Sequence, residues 1–576
     1  MTQRVTRRAA LQAALASGAT ACAPRPELRP YTASAEKAGG VFKHGIASGD
    51  PGPDSVVVWT RVSVAEDART MRVIWEIAAD PDFSDMRGKG EAEARASSDW
   101  TVKVVLRDLQ PGATYYYRFR IGDAYSPVGR TKTLPAGAVE RARFAVVSCS
   151  NHAFGYFNVY DLIARRDDLD AVIHLGDYIY EHGPDGYGGE TGARLGRAHD
   201  PAHELLTLDD YRRRHAQYKA DPSTQAVHAA HPFIPVWDDH EISNNSWKSG
   251  ADNHDPLTEG DWEGRRRAGL QAYYEWMPVR EPEPGKAREA LFRSYSFGDL
   301  LTLAAIETRL MARARQFEYS EVVPTLKTPE DVERFKKEIL WDDTREMLGA
   351  GQLDFLDRTL RSSIAEGQPW RLVANQILMA EVIAPDLRPY MSEEDIVALE
   401  KLWDQARSFV ESSALGLPTN FDAWDGYPAA RERFYHMVRE AGAKGLIVLT
   451  GDTHTWWAND LYTRTGDHMG VELGVHSVTS PSEYDKDFLG GKGADYALLT
   501  NKKNKAVRYL SGDDHGYIDL EVTRKAAKAR FIAVDTIEDR AYNAFTKAAF
   551  DIRETSNGVK FARGGNLTFK EWVLFR

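Results

Sequence analysis

The chain has 576 residues, of which 43% are hydrophobic and 27% charged, with a net charge of -12. That composition is ordinary for a globular protein in water, and the length predicts one large domain with an accessory one. An acidic chain repels polyanions, which excludes dedicated nucleic-acid binding but leaves phosphate chemistry open where metal cations reverse the sign locally. No apolar run reaches the roughly 18 residues of a membrane-spanning helix.

Residues 1–31 read as a targeting segment. Thr6-Arg7-Arg8-Ala9-Ala10-Leu11-Gln12 precedes a weakly apolar run to Ala21, similar to a twin-arginine export signal read by its own machinery. This predicts a periplasmic or secreted protein. Ala19-Thr20-Ala21-Cys22 is an imperfect lipoprotein box, so Cys22 is the candidate site of a lipid anchor. The one other cysteine, Cys149, then has no disulfide partner.

Residues 41–135 are β-rich. Ser55–Thr60 and Arg72–Ile77 carry the β-branched and aromatic residues of strands. Leu109-Gln110-Pro111-Gly112 followed by Thr114-Tyr115-Tyr116-Tyr117 resembles the tyrosine-bearing corner of immunoglobulin-like and fibronectin-like sandwiches. A small amino-terminal β-sandwich is expected there, ending at the linker Leu134-Pro135-Ala136-Gly137.

From 140 to 550 short apolar runs alternate with helical stretches, and the apolar runs end in polar clusters. Phe144–Val147 leads to Cys149, Ala171–Leu175 to Gly176-Asp177, Phe233–Trp237 to Asp238-Asp239-His240, and Leu446–Leu449 to Gly451-Asp452-Thr453-His454. Buried strands with ligand-bearing loops at their carboxyl ends are how α/β sheets assemble sites. Helices are expected over 157–166, 209–226 and 352–364 from their apolar spacing. Residues 313–345 and 383–430 read as insertions shaping the site mouth, and 551–576 as a tail.

Each cluster has a metal-binding logic. Asp177 offers two oxygens that can bridge two cations, and Tyr180, three residues on, can turn a phenolate back to the same point. Asp238 and Asp239 are adjacent like charges, which persist most easily beside a cation. Asp452 and His454 suit two neighbouring metals. A Cys149 thiolate is a strong ligand for iron or zinc. No sequence around Cys149 resembles a cysteine-protease nucleophile turn.

Together Cys149, Gly176-Asp177-x-x-Tyr180, Asp239-His240-Glu241 and Gly451-Asp452-x-His454 resemble the calcineurin-like metallophosphoesterases, and within them the alkaline phosphatase D (PhoD) family. Phe42–Pro51, Val57–Arg61, Asp425-Gly426-Tyr427 with Arg431, and Thr479–Ser482 extend the likeness over about 41–530. The resemblance implies an α/β fold, a layered β-sandwich flanked by helices. It implies hydrolysis of small phosphate mono- and diesters by direct attack of metal-bound hydroxide, with Fe(III) and Ca(2+) as cofactors. By motif, Cys149, Asp177 and Tyr180 hold the iron, with Asp452 or His454 completing its shell, while Asp239, Asn244 and Asp452 hold calcium. Which of Asp238, Asp239 and Asn244 ligates stays open. His240, Asp177 and His454 form the implied catalytic set. Tyr178 stands where some members carry a phosphate-holding arginine, so His240, Tyr178 and Arg309 are the candidate substrate contacts. Arg309 has a structural ion pair as its competing role.

Overall fold

The computed structural model describes residues 40–63, 69–401, 406–556 and 558–573. The expected export signal and Cys22 lie outside these residues.

Three of the short apolar runs pair in parallel, because strands this short and apolar are buried in the middle of a sheet, and a fourth strand from the amino-terminal region joins them. Arg141–Val147, Ala171–His174, Pro232–Pro235 and Ile46–Gly49 lie side by side in register. They form the middle of a ten-stranded sheet. A second, seven-stranded sheet has Leu301–Ala305, Trp370–Ala374, Leu446–Thr450 and His468–Gly474 as its parallel centre.

Side chains alternate across each strand, so each sheet has two apolar faces to cover. Phe144, Val146, Ile173 and Ile234 meet Leu301, Leu303, Leu372, Ile447 and Val471 between the sheets. Ala145, Val147, Val172 and Phe233 face the opposite way, onto Tyr160, Leu162, Tyr218 and Tyr273 of the helices Asn158–Ala164, Leu208–Ala220 and Trp262–Trp276. Val373 and Val448 of the other sheet meet Leu356 and Leu360 of Gly349–Ala365, with Phe434 and Val438 of Pro428–Glu440. The result is a helix–sheet–sheet–helix sandwich. The helix expected over 209–226 is two: Asp221 ends one and caps the next, accepting from Ser223 N at 2.9 Å, and Pro222 opens the second.

The amino-terminal region is β-rich as its sequence implies, and the tyrosine corner forms: Gln110 N donates to the Tyr115 hydroxyl at 2.9 Å. Its two layers have different owners. Thr70–Ala78, Met86–Arg95, Thr114–Ile121, Ala124–Tyr125 and Gly129–Lys132 make a separate five-stranded sheet. Ile46–Gly49, Val56–Arg61 and Thr101–Leu106 instead complete the ten-stranded sheet, beside Pro232–Pro235. At the other end, residue 550 falls inside the strand Ala544–Thr555. The residues read as a tail continue that strand and pair back on it as Gly558–Val573. An edge strand pairs by register with a distant partner, which no local period announces.

Candidate metal centre

Four strand ends converge because two glycines let them. Gly176 has φ +103, and a Cβ there would lie 2.4 Å from Asp238 Cβ. A Cβ on Gly451 would lie 2.7 Å from both Cβ and Oγ of Ser148. Immediately beyond, Cys149 (φ 59), Asp177 (φ 56), Asn245 (φ 51), Asp452 (φ 61) and His454 (φ 50) all adopt left-handed backbone conformations. Such strain, about 1–3 kcal/mol for a non-glycine residue, clusters where side chains must be aimed.

What they aim at is one another. One ligand atom each from Cys149, Asp177 and His454 lies within 4.8 Å of the others, and the same holds for Asp177, Asp239 and His240, and for Asp238, Asp239 and Asp452. Asp177 and Asp239 each belong to two groups, so adjacent cations would share them. The Tyr180 hydroxyl donates to Asp177 Oδ2 at 3.0 Å, lies 3.3 Å from His454 Nε2, and accepts from Ser480 Oγ at 2.8 Å. His454 Nδ1 is 2.8 Å from Pro481 O, which leaves Nε2 for the centre.

The electrostatics favour cations. Burial pushes the Cys149 thiol and the Tyr180 phenol well above their usual ranges, with Asp177 adding to both. Burial also pushes Asp177 and Asp238 well up, and Asp452 up to about 7. A thiol and a phenol become ligands here only when a cation stabilises their anions. Burial lowers His454 to about 3, leaving it neutral and able to ligate. Asp238 Oδ2 and Asp239 Oδ1 are buried and accept no hydrogen bond among the described residues. Orphaned buried carboxylate oxygens beside a thiol and imidazoles fit a cluster of metal ions.

His240 belongs to this centre and is held from behind. Its Nδ1 lies 2.7 Å from Glu181 Oε2, and its ring stacks on Tyr180 with centroids 4.3 Å apart. Burial disfavours its cation, but Glu181, Asp239 and Asp177 outweigh that and hold its pKa well above 6.5. Glu181 is fully buried and also accepts from Asn244 N at 2.7 Å. Its signal in sequence was only its place beside Tyr180. Glu241 ties two strand ends together, accepting from Tyr178 N at 2.7 Å, Asp238 N at 2.8 Å and Asp177 N at 3.1 Å.

Two candidate substrate contacts are engaged by the protein's own groups. Tyr178 turns into the helix layer, where its hydroxyl lies 2.9 Å from His228 Nε2 and its ring packs near Tyr218 and His215. Its backbone N–H, taken by Glu241, fixes that direction. Arg309 is wholly buried and spends its donors on carboxylates: Asp238, Asp422 and Asp452. The competing role, a structural ion pair, is the one it makes here. Asp422, from the 383–430 insertion, carried no motif. Asn244 donates its backbone N–H to Glu181 Oε1 at 2.7 Å. His476 and His515 lie near it, but His476 Nε2 is spent on Gly512 O at 2.9 Å.

A helix-flanked double sheet carrying carboxylates, imidazoles and a thiol on its strand ends defines a metal-dependent phosphoric ester hydrolase. The chain belongs to the PhoD-like phosphatases: that family's model matches residues 144–531, and the model for its amino-terminal domain matches residues 27–135. It is 34% identical over 535 residues to alkaline phosphatase D of Bacillus subtilis (strain 168), covering 90% of this chain and 82% of that one. A solved structure of PhoD superposes with a TM-score of 0.74 at 30% identity, covering 94% of each chain. Among the described residues no helix is long and apolar enough to cross a membrane.

Proposed function

We propose that this chain is an exported phosphatase that hydrolyses phosphate mono- and diesters with Fe(III) and Ca(2+). The observation that carries the reading is the convergence of Cys149, Asp177 and His454 within 4.8 Å, with the Tyr180 hydroxyl 3.0 Å from Asp177. A thiolate, a phenolate, an imidazole and a carboxylate together suit iron. Asp239, Asp452 and the shared Asp177 offer the hard oxygens that calcium prefers. When bound, the ions would supply Lewis acidity, activating water and neutralising phosphate charge.

The chain's own contribution is positioning and proton handling. Glu181 holds His240 by Nδ1, so that Nε2 can hold a proton and give it to the departing ester oxygen. Tyr180 fixes the ring by stacking on it. Attack on phosphorus is direct, and a phosphorylated residue trapped after substrate addition would overturn that step. Export rests on the paired Arg7-Arg8 and the apolar run after them. It predicts phosphatase activity in the periplasmic or medium fraction of the producing cell, lost to the cytoplasm in an Arg7→Lys, Arg8→Lys double variant; unchanged localisation would refute it.

Elemental analysis of the purified protein, with turnover of p-nitrophenyl phosphate and bis(p-nitrophenyl) phosphate, tests the whole reading. Iron and calcium with both activities are expected. Zinc or manganese alone would refute the assignment of iron. Cys149→Ser is expected to keep the fold and lose iron.

A further inference from the structure

Among the described residues Arg309 is the one guanidinium paired with the Asp238, Asp239 and Asp452 group, and carboxylates take up its donors. Its side chain has no exposed surface. Nε donates to Asp238 Oδ1, Nη1 to both oxygens of Asp422 at 2.8 and 2.7 Å, and Nη2 to Asp452 Oδ1 at 3.2 Å. Nη2 also stands 3.4 Å from Asp239 Oδ1. The backbone is as fixed as the side chain. The Glu307 carboxylate accepts from the N–H groups of Arg309 at 2.8 Å, Leu310 at 2.6 Å and Met311 at 2.9 Å, and from Trp237 Nε1 at 3.1 Å. Arg313, itself buried, neutralises the rest of Asp422.

Arg309 thus takes one oxygen of Asp238 and leaves the other, Oδ2, buried and unpaired. Asp239 differs: its Oδ2 accepts from Asn245 N at 2.6 Å, and its Oδ1 has the Arg309 ion pair beside it but no hydrogen bond. One arginine therefore touches all three members of the Asp238, Asp239 and Asp452 group while leaving oxygens free for ions. Buried carboxylates this close repel one another strongly unless a cation stands among them. Metal ions can serve only after they arrive. A guanidinium is charged at every relevant pH and its planar fork holds several carboxylates in fixed directions.

We propose that Arg309 is a resident cation of the metal centre: it keeps the metal-free site folded and presets Asp238, Asp239 and Asp452 for incoming ions. This rests on the metal-centre reading above. Arg309 is a positioning residue and touches no substrate. Its loss should harm the metal-free protein more than the loaded one, because bound ions take over the neutralisation.

The test compares wild type and Arg309→Met as full chains, stripped with a chelator and then supplied with calcium chloride. The stripped variant should melt lower than stripped wild type, and calcium should raise its Tm by about 5 °C more than it raises that of wild type. An equal or smaller calcium increment overturns the proposal. Arg309→Lys keeps the charge but cannot reach three carboxylates at once, so its increment should fall between the two. If Arg309→Met does not fold even with calcium, Arg309→Lys decides: an increment no larger than that of wild type overturns the proposal. The reading beneath it fails separately, if calcium does not raise the Tm of stripped wild type at all.

Discussion

Replacing Gly176 with alanine tests whether close approach of the strand ends builds the site. The new Cβ would stand 2.4 Å from Asp238 Cβ and 2.5 Å from Asp238 N, at a backbone φ of +103 that L-residues rarely adopt. Left-handed backbone costs an alanine about 1–2 kcal/mol. Forcing a methyl into a packed contact costs about 1–3 kcal/mol more, because Asp238 is buried and its backbone N–H is tied to Glu241. The sum is about 2–5 kcal/mol of stability, read as a lower urea midpoint with unchanged slope. The clash also pushes Asp238 and its neighbour Asp239 away from Asp177, so phosphatase activity should fall further than stability predicts, and added calcium should restore little of it. An alanine variant with wild-type urea midpoint and wild-type turnover would refute the claim that this glycine sets the spacing of the metal ligands.

His240→Asn should slow turnover by about 100- to 10,000-fold, the usual worth of a positioned proton donor. Alkyl phosphates should suffer more than p-nitrophenyl phosphate, whose leaving oxygen needs no proton; equal losses on both would argue against proton donation. Glu181→Gln should show the same ranking of substrates with smaller losses, since it weakens the hold on Nδ1 without removing the ring. A pH effect on stability is expected from Glu472, buried where it accepts from Met379 N at 2.6 Å, Ala380 N at 3.1 Å and Asn459 Nδ2 at 2.9 Å. Burial raises it from 4.5 to about 7, so the folded protein holds this proton more tightly than the unfolded chain. The resulting stabilisation is complete below about pH 4.5 and is lost as pH rises to about 7, an effect of about 3 kcal/mol. The wild-type urea midpoint should therefore fall from pH 5 to pH 8 by more than that of Glu472→Gln does; parallel profiles would count against it.

Much of the centre could be read because four apolar runs each stop at a polar cluster, and strands that short must be buried and parallel. That pattern placed Cys149, Asp177, Asp238, Asp239, Asp452 and His454 at strand ends, the family resemblance assigned ligand roles among them, and their grouping now has distances. The directions of side chains were another matter. Tyr178 follows Asp177 directly, yet the Glu241 carboxylate captures its N–H and turns the ring into the helix layer. Arg309 was ambiguous because its partners come from three separate stretches, one of them an insertion whose Asp422 has no flanking pattern. The split of the amino-terminal region between two sheets was hidden for a related reason: hydrophobic alternation tells which face of a strand is wet, not which strand lies beside it.

That split bears on how the enzyme can be cut or rebuilt. The strand carrying the His240 loop, Pro232–Pro235, is flanked on one side by Ala171–His174 and on the other by Ile46–Gly49. Trimming the first hundred or so residues, as about one small domain's length, would not release an independent module. It would bare a four-residue apolar strand next to the reacting groups, inviting another chain to pair there. The amino-terminal strands cover what would otherwise be an open edge, so truncated variants should be recovered as aggregates rather than as smaller enzymes.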